Sequence, residues 1–413
     1  MSISPTPSTP TFMHLSNSPH FNNPPPTEAG YSAMMKAGAQ ALEVLTTLQQ
    51  ISQSNVCGLK VKRAEQGLPY SILVGHDLKG NKRMFALSHG FKIGTGVIKK
   101  AKLVFDLSAS RMCCATKLSS TDSLVWPDLE AEAQREISSL KRLTETQGIA
   151  QLHIVVKTEG KNKKGEQVKR IYLVQELGAQ GTLESFLRQY PETTHPLSIQ
   201  IKWHIASTFL EALKNMHERG VLHRDLKLNN LVIDERFSAK IIDFGLSCPI
   251  SESPEIVNIQ WWMAEFVPPE ILRAVTAKSP EQLIKATNTK WDCFMAGIIL
   301  YQIFYGATPC VWANTFAAKV EKMLKAGPNN WIPKHLSEVT GFVCPNRLIK
   351  ALLEDDPEKR FSASSAFEIA STLSLKANTP APLPPLGEPT PNSDQPWKAG
   401  KTPTRRKTSV TVS

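Results

Sequence analysis

Apolar side chains recur at helical spacing from Ala131 to Leu143, where Ile137, Leu140 and Leu143 share one face and predict a helix packed on a core. Tyr31 to about Ser54 carries Met34, Ala37, Ala41, Leu45 and Leu48 at helical intervals and predicts an amphipathic helix, able to pack on the domain or to bind a partner. Ile171-Tyr172-Leu173-Val174 is an apolar run ending in the polar step Gln175-Glu176, which predicts a strand; Gln180 to Leu187 then reads as helical. Met112 to Lys117 predicts a further strand, and the basic, glycine-containing Lys161 to Gly165 predicts the turn between two strands. Ile298-Ile299-Leu300-Tyr301 belongs to an apolar stretch too short and too punctuated to cross a membrane, so it predicts a buried helix. No internal repeat is evident.

The ends of the chain lack this patterning. Residues 1–30 and 377–413 are rich in Pro, Ser and Thr and are expected to be disordered, as self-modification targets, partner-binding segments or a secretion signal. With 413 residues, 41% of them hydrophobic, the chain can bury the core of a domain of about 290 residues between such flanks. Met1 to Pro26 contains no apolar block, so no secretory leader is expected. Seven cysteines without metal-ligand pairing read as reduced thiols in a cytoplasmic setting, Cys248 among them as a packed free thiol. Delivery as a secreted effector stays open. The net charge of +11 is scattered, with one small cluster at Arg405-Arg406-Lys407. It comes with no nucleic-acid module, so no nucleic-acid partner is expected; a basic face toward acidic proteins or a merely solvated surface both fit.

Chemistry enters with Val221-Leu222-His223-Arg224-Asp225-Leu226-Lys227-Leu228-Asn229-Asn230, followed by Ile241-Ile242-Asp243-Phe244-Gly245. In register, these stretches resemble the catalytic loop H-R-D-L-K-x-x-N and the metal loop D-F-G of eukaryotic-type protein kinases. The resemblance implies an ATP-dependent serine/threonine protein kinase using Mg2+, with proteins as substrates. Phosphoryl transfer needs nucleophile, phosphates and metal held in line more than it needs covalent chemistry. By resemblance, Asp225 orients the substrate hydroxyl and accepts its proton, Lys227 steadies the transferred phosphate, and Asn230 and Asp243 hold the metal.

The same resemblance assigns the nucleotide site. Lys92-Ile93-Gly94-Thr95-Gly96-Val97-Ile98-Lys99 fits the phosphate-covering loop at its first two glycines, with Lys99 standing where the third belongs. Lys117 takes the place of the strand lysine that contacts the phosphates, and Glu136 is chosen as its helix partner over Glu130 and Glu132. Ala115 and Ala101 would cover the adenine, the backbone of Glu176 and Gly178 would bond it, Val232 would floor its pocket, and Gln175 would be the gatekeeper. Leu140 would stack with Phe244 and His223.

Beyond D-F-G the pattern continues with departures. Phe266-Val267-Pro268-Pro269-Glu270 stands for Y-x-A-P-E, with Arg360 as the buried mate of Glu270, and Asp292-Cys293-Phe294 stands for D-x-W, with Asp292 bracing the catalytic loop. Arg224 is the residue that pairs with a phosphorylated activation segment in many relatives, and Ser251 and Ser253 are the candidate sites. Met263 replaces a threonine that ties Asp225 and Lys227 to the substrate loop; with Lys99, it puts efficiency in doubt. The expected fold is α+β, a two-lobed protein kinase fold: an N-terminal extension over 31–85, then a kinase domain over 86–376. Its small antiparallel β-sheet lobe covers 86–178 and its larger, mainly α-helical lobe 179–376. The alternative is a pseudokinase scaffold that binds nucleotide weakly and works through its flanks.

Overall fold

The computed structural model describes residues 59–61, 70–95, 99–107, 109, 111–162, 164–250, 267–309, 325, 333–337 and 344–377. The helix expected over Tyr31 to Ser54, both terminal flanks, Gly96, Ser251, Ser253 and Met263 lie outside the described residues.

The small lobe is one antiparallel sheet. Its strands are β1 (Leu59–Val61), β2 (Tyr70–His76), β3 (Lys82–Thr95), β4 (Lys99–Asp106), β5 (Arg111–Ser120), β6 (Leu152–Lys161) and β7 (Gln167–Glu176), in the order β1-β2-β3-β4-β5-β7-β6. The sheet therefore begins N-terminal of residue 86. Turn chemistry fixes its hairpins. Between β2 and β3, Asp77 Oδ1 accepts the N–H groups of Lys79 and Asn81, while Gly80 takes φ +84°, a conformation cheap only for glycine. Between β6 and β7, Asn162 Oδ1 does the same for Lys164 and Glu166, and Gly165 again takes φ +84°.

Helix α1 (Trp126–Arg142) connects β5 to β6 and packs on one face of the sheet. Ala133, Ile137 and Leu140 meet Leu118, Ile171 and Leu173 there, as the helical spacing predicts. Each of these buried leucine and isoleucine side chains contributes roughly 1.5–3 kcal/mol. On the other face Cys113, Ala115, Tyr172 and Val174 pack with Leu73 and Phe85, because β2 folds back over β6. Ala115 is thus core of the outer face, which corrects its assignment to the adenine cover.

Strand alternation also relocates Lys117. Directly paired residues share a face. Leu118 pairs with Lys99 and Ile171, and Thr116 with Ala101 and Leu173, so these residues look toward α1. Lys117 pairs with Lys100 and Tyr172 and looks the other way. The expected Lys117–Glu136 pair is therefore absent, and Thr116 occupies the inward position. Burial, with repulsion from Lys102, Arg170 and Lys100, pulls the Lys117 pKa down to about 8.

The large lobe is mainly helical, with α2 (Leu183–Arg188), α3 (Ile199–Glu218), α4 (Pro269–Thr276), α5 (Pro280–Ala286), α6 (Thr289–Tyr305), α7 (Asn346–Leu352) and α8 (Ala363–Lys376). Thr182, Ser198, Ser279, Asn288 and Ser362 each cap a following helix by accepting a backbone N–H, and Gly306 ends α6 at φ +64°. From Trp291 to Phe304 α6 is buried all round, the central helix its apolar run predicts. Among the described residues no helix is long and apolar enough to cross a membrane. Short ribbons place the catalytic segments: β8 (Val221–Leu222) pairs with β11 (Cys248–Pro249), and β9 (Leu231–Ile233) with β10 (Ala239–Ile241).

Arg360 ties the lower part of this lobe together. Its Nη1 and Nη2 donate to the two carboxylate oxygens of Glu270 at 2.6 and 2.9 Å, its Nε donates to the Glu354 carbonyl, and its guanidinium stacks 5.1 Å from the Phe294 ring centroid.

Two outcomes follow from this packing. Arg360→Met leaves the Glu270 carboxylate buried and unpaired and should lower stability by about 3–5 kcal/mol in urea unfolding, with part of the loss recovered when Glu270→Gln is added. Lys117 should be acylated by a limiting amine-reactive reagent with half-maximal modification near pH 8, read by peptide mass spectrometry, while Lys99 stays unmodified in the folded protein.

Candidate active site

The site is organised from beneath by one carboxylate. Asp292, in the first turn of α6, is fully buried and accepts the backbone N–H groups of His223 at 2.9 Å and Arg224 at 2.8 Å, together with Nε2 of His217 at 3.0 Å. Burial works against the charge on Asp292, but the bond and charge of His217 outweigh it and hold the carboxyl below its ordinary pKa. The loop so held is strained. Arg224 sits at φ +65°, a left-handed conformation that costs a non-glycine residue about 1–3 kcal/mol. Its Nε donates to the Leu246 carbonyl at 2.7 Å, linking the catalytic loop to the segment after the metal loop.

Within the loop, Asp225 gathers its neighbours. Its Oδ2 accepts from Lys227 Nζ at 2.8 Å and from Asn230 Nδ2 at 2.9 Å, and its carbonyl accepts from the same Nδ2 at 2.7 Å. The amide nitrogen of Asn230 is thereby committed, so the amide can offer a metal only its oxygen. Asp243 follows on the neighbouring loop at φ +63°. His223 Nε2 donates to the Ile242 carbonyl, and its ring tilts against Phe244 with centroids 5.0 Å apart. Phe244 and Leu140 are both buried in the core between the lobes.

Helix α1 meets the metal loop through polar contacts as well. Ser247 Oγ lies 2.6 Å from both Ser139 Oγ and the Phe244 carbonyl, and Arg135 Nε donates to the Gly245 carbonyl. The central contact is Lys99. Its Nζ lies 2.9 Å from Glu136 Oε2, 3.0 Å from Glu132 Oε1 and 2.5 Å from Asp243 Oδ1. Burial opposes the charge on Lys99, but Glu136, Asp243 and Glu132 hold its pKa well above the ordinary lysine value. Gly245 closes the socket, since a β-carbon there would lie 2.7 Å from Glu132 Oε1 and 2.8 Å from Lys99 Nζ.

Glu136 thus takes Lys99 as its partner, where the resemblance implied Lys117. Of its two rivals, Glu132 joins the same cluster, while Glu130 turns outward to Lys157 and Trp126. The signal in the sequence was Lys99 itself, a cation at the glycine position of the phosphate loop, read there as a weakness.

The residues expected to line the nucleotide site lie on the sheet, in the segment after β7 and on β9. Gly94 and Thr95, following Ile93 on β3, pair with Ala101 and Lys100 of β4. Ala101 faces α1 opposite Thr116. At the end of β7, Gln175 is buried and pairs with Cys114, and its Nε2 has no hydrogen-bond partner among the described residues. Glu176 donates its N–H to the Gln151 carbonyl and pairs its carboxylate with Lys240 at 2.9 Å. Gly178 lies so close to Val232 that a β-carbon would sit 2.3 Å from the valine β-carbon. Of the residues expected around the adenine, Gly178 and Val232 are brought into contact and Ala101 lies on the α1-facing side of the sheet, whereas Ala115 lies on the other. The oxygen donors left by Asp243 and Asn230 suit magnesium, a hard cation that prefers oxygen ligands.

Comparison with known proteins agrees with this geometry. The family described as the protein kinase domain matches residues 87–370. Over 340 residues the chain is 27% identical to the serine/threonine-protein kinase BCK1/SLK1/SSP31 of Saccharomyces cerevisiae, covering 78% of this chain and 21% of the relative. It is 27% identical to the CBL-interacting serine/threonine-protein kinase 7 of Arabidopsis thaliana, over 68% of this chain and 58% of the relative. It is 25% identical to the serine/threonine-protein kinase cds1 of Schizosaccharomyces pombe, over 75% and 65%. The chain spans less than two thirds of these relatives' length. With its two-lobed fold and the family match over more than half its residues, the chain belongs to the eukaryotic-type protein kinase family.

Proposed function

We propose that this protein is an active kinase that transfers the γ-phosphoryl group of ATP to serine or threonine hydroxyls of protein substrates. The observation that carries the reading is the Asp225–Lys227–Asn230 cluster, set on one loop opposite Asp243. Asp225 orients the substrate hydroxyl and takes up its proton as the oxygen forms its bond to the γ-phosphorus. The bond from that phosphorus to the bridging oxygen of ADP breaks in the same event. Lys227, already bonded to Asp225, stands next to the transferred group and offsets its charge. Magnesium, when held by Asp243 and the amide oxygen of Asn230, supplies positive charge to the phosphates. The hinge backbone at Glu176 and Gly178, with Ala101 above and Val232 below, would seat the adenine. The unpartnered Gln175 Nε2 supports a polar ligand in this cleft. Preference for serine and threonine rests on Lys227 and on the names of the relatives.

One observation favours a second reading. Lys117 faces away from the cleft, and Thr116 fills the inward strand position. On the pattern of the family that suggests a scaffold lacking its strand lysine.

The two readings separate in one assay. Magnesium-dependent transfer of labelled phosphate from ATP to the protein itself and to a generic basic protein should be measurable in the wild type. Asp225→Ala should reduce it on the order of 100-fold or more. No transfer by the wild type, with nucleotide binding retained, would establish the scaffold.

A further inference from the structure

We propose that Lys99, on β4, is the lysine that holds the ATP phosphates, and that Lys117 has no part in the reaction. The inference rests on the phosphotransfer reading and deepens it by reassigning one of its groups.

Three independent features of the geometry lead there. The first is strand parity: Lys99 faces α1 because it pairs with Leu118, an inner-face residue, whereas Lys117 pairs with Tyr172 on the outer face. No rotamer carries a side chain through a sheet, so Lys117 cannot reach Glu136 without a one-residue slip of β5, which would expose Leu118. The second is the company Lys99 keeps. Its Nζ bridges Glu136 of α1 and Asp243, the residue placed to hold the metal on the phosphates, so the ammonium already stands beside the ground the phosphates would occupy. The third is room. Lys99 reaches this point from the strand directly after the phosphate-covering loop, Gly245 contributes no side chain to block it, and Thr116 is short enough to leave the space open.

The bland alternative is that Lys99 is a structural cation that bridges three carboxylates and offsets part of their repulsion. Such a role needs no contact with nucleotide. A catalytic role requires that one of the ion pairs yield to phosphate oxygens when nucleotide binds. Asp243 is the natural one to yield, because it is the most exposed of the three acids and would be drawn on to hold the metal, while Glu136 and Glu132 would keep Nζ in place.

The test uses the full-length wild type first, with an acyl-phosphate derivative of ATP as the probe. A lysine amine beside the phosphates attacks the acyl carbon, an amide forms, ATP departs and the amine loses its proton. At pH 7, peptide mass spectrometry should find the amide on Lys99, protected by excess ATP, and no ATP-protected amide on Lys117. An ATP-protected amide on Lys117 and none on Lys99 overturns the assignment. So does labelling of neither while a fluorescent ATP analogue still binds. If no nucleotide binds at all, the phosphotransfer reading fails first, and the two failures are distinct. Transfer assays on variants complete the test, with thermal unfolding to show that each is folded. Lys99→Met should lose transfer by about 100-fold or more. Lys117→Met should stay within about threefold of wild type. The reverse order of effects sinks the proposal.

Discussion

An ammonium group buried between two lobes is tolerable only if opposite charges meet it there, and Lys99 is met from two directions. Glu132 and Glu136 come from the helix of the small lobe and Asp243 from the loop of the large one. Removing the lysine would leave three carboxylates facing one another, with the well-buried Glu136 the most costly of them. The lobes are therefore held in a particular relation by the attraction of one cation for carboxylates on both sides, as well as by the apolar contact of Leu140 with the core around Phe244. The closeness of Gly245 follows from the same demand, since the socket has space for the lysine only where no β-carbon stands.

A second buried charge does related work lower down. Asp292 accepts two successive backbone N–H groups of the catalytic loop, which pins Arg224 in a left-handed conformation the chain would otherwise avoid. Because Asp292 belongs to α6, and α6 is buried along its length, the loop inherits the rigidity of the large-lobe core. Arg360 extends the pattern by anchoring Glu270 through both oxygens.

Much of this was legible in the sequence because the spacing of the loop residues is local. Asp225, Lys227 and Asn230 lie within one turn of chain, so their meeting requires no knowledge of the sheet. The helix over Ala131 to Leu143 was legible through its period, and the choice of Glu136 followed from which face is apolar. The Glu270–Arg360 pair, ninety residues apart, was legible only through the family pattern. What escaped was the face of a strand. Around β5, apolar residues line both sides, Leu118 inward and Cys113 and Ala115 outward, so alternation gives no clean signal there. Matching Ala-x-Lys by spacing alone then selects Lys117, one residue out of phase with the cleft. The early strands β1 and β2 escaped too, for β1 pairs only with β2 and β2 with β1 and β3, and neither carries a motif.

The sequence distances inside the lysine cluster carry a consequence for how the protein is made. Lys99 and Glu136 are 37 residues apart, and both belong to the part of the chain synthesised first. Asp243 lies 144 residues beyond Lys99 and emerges only after the hinge and the catalytic loop. A chain interrupted before that point contains both glutamates and the Asp225–Asn230 loop, yet it lacks the one carboxylate that joins the lysine to the large lobe. The contact that joins the lobes through Lys99 is thus among the last of the cluster to become available in biosynthesis, after the catalytic loop is already present.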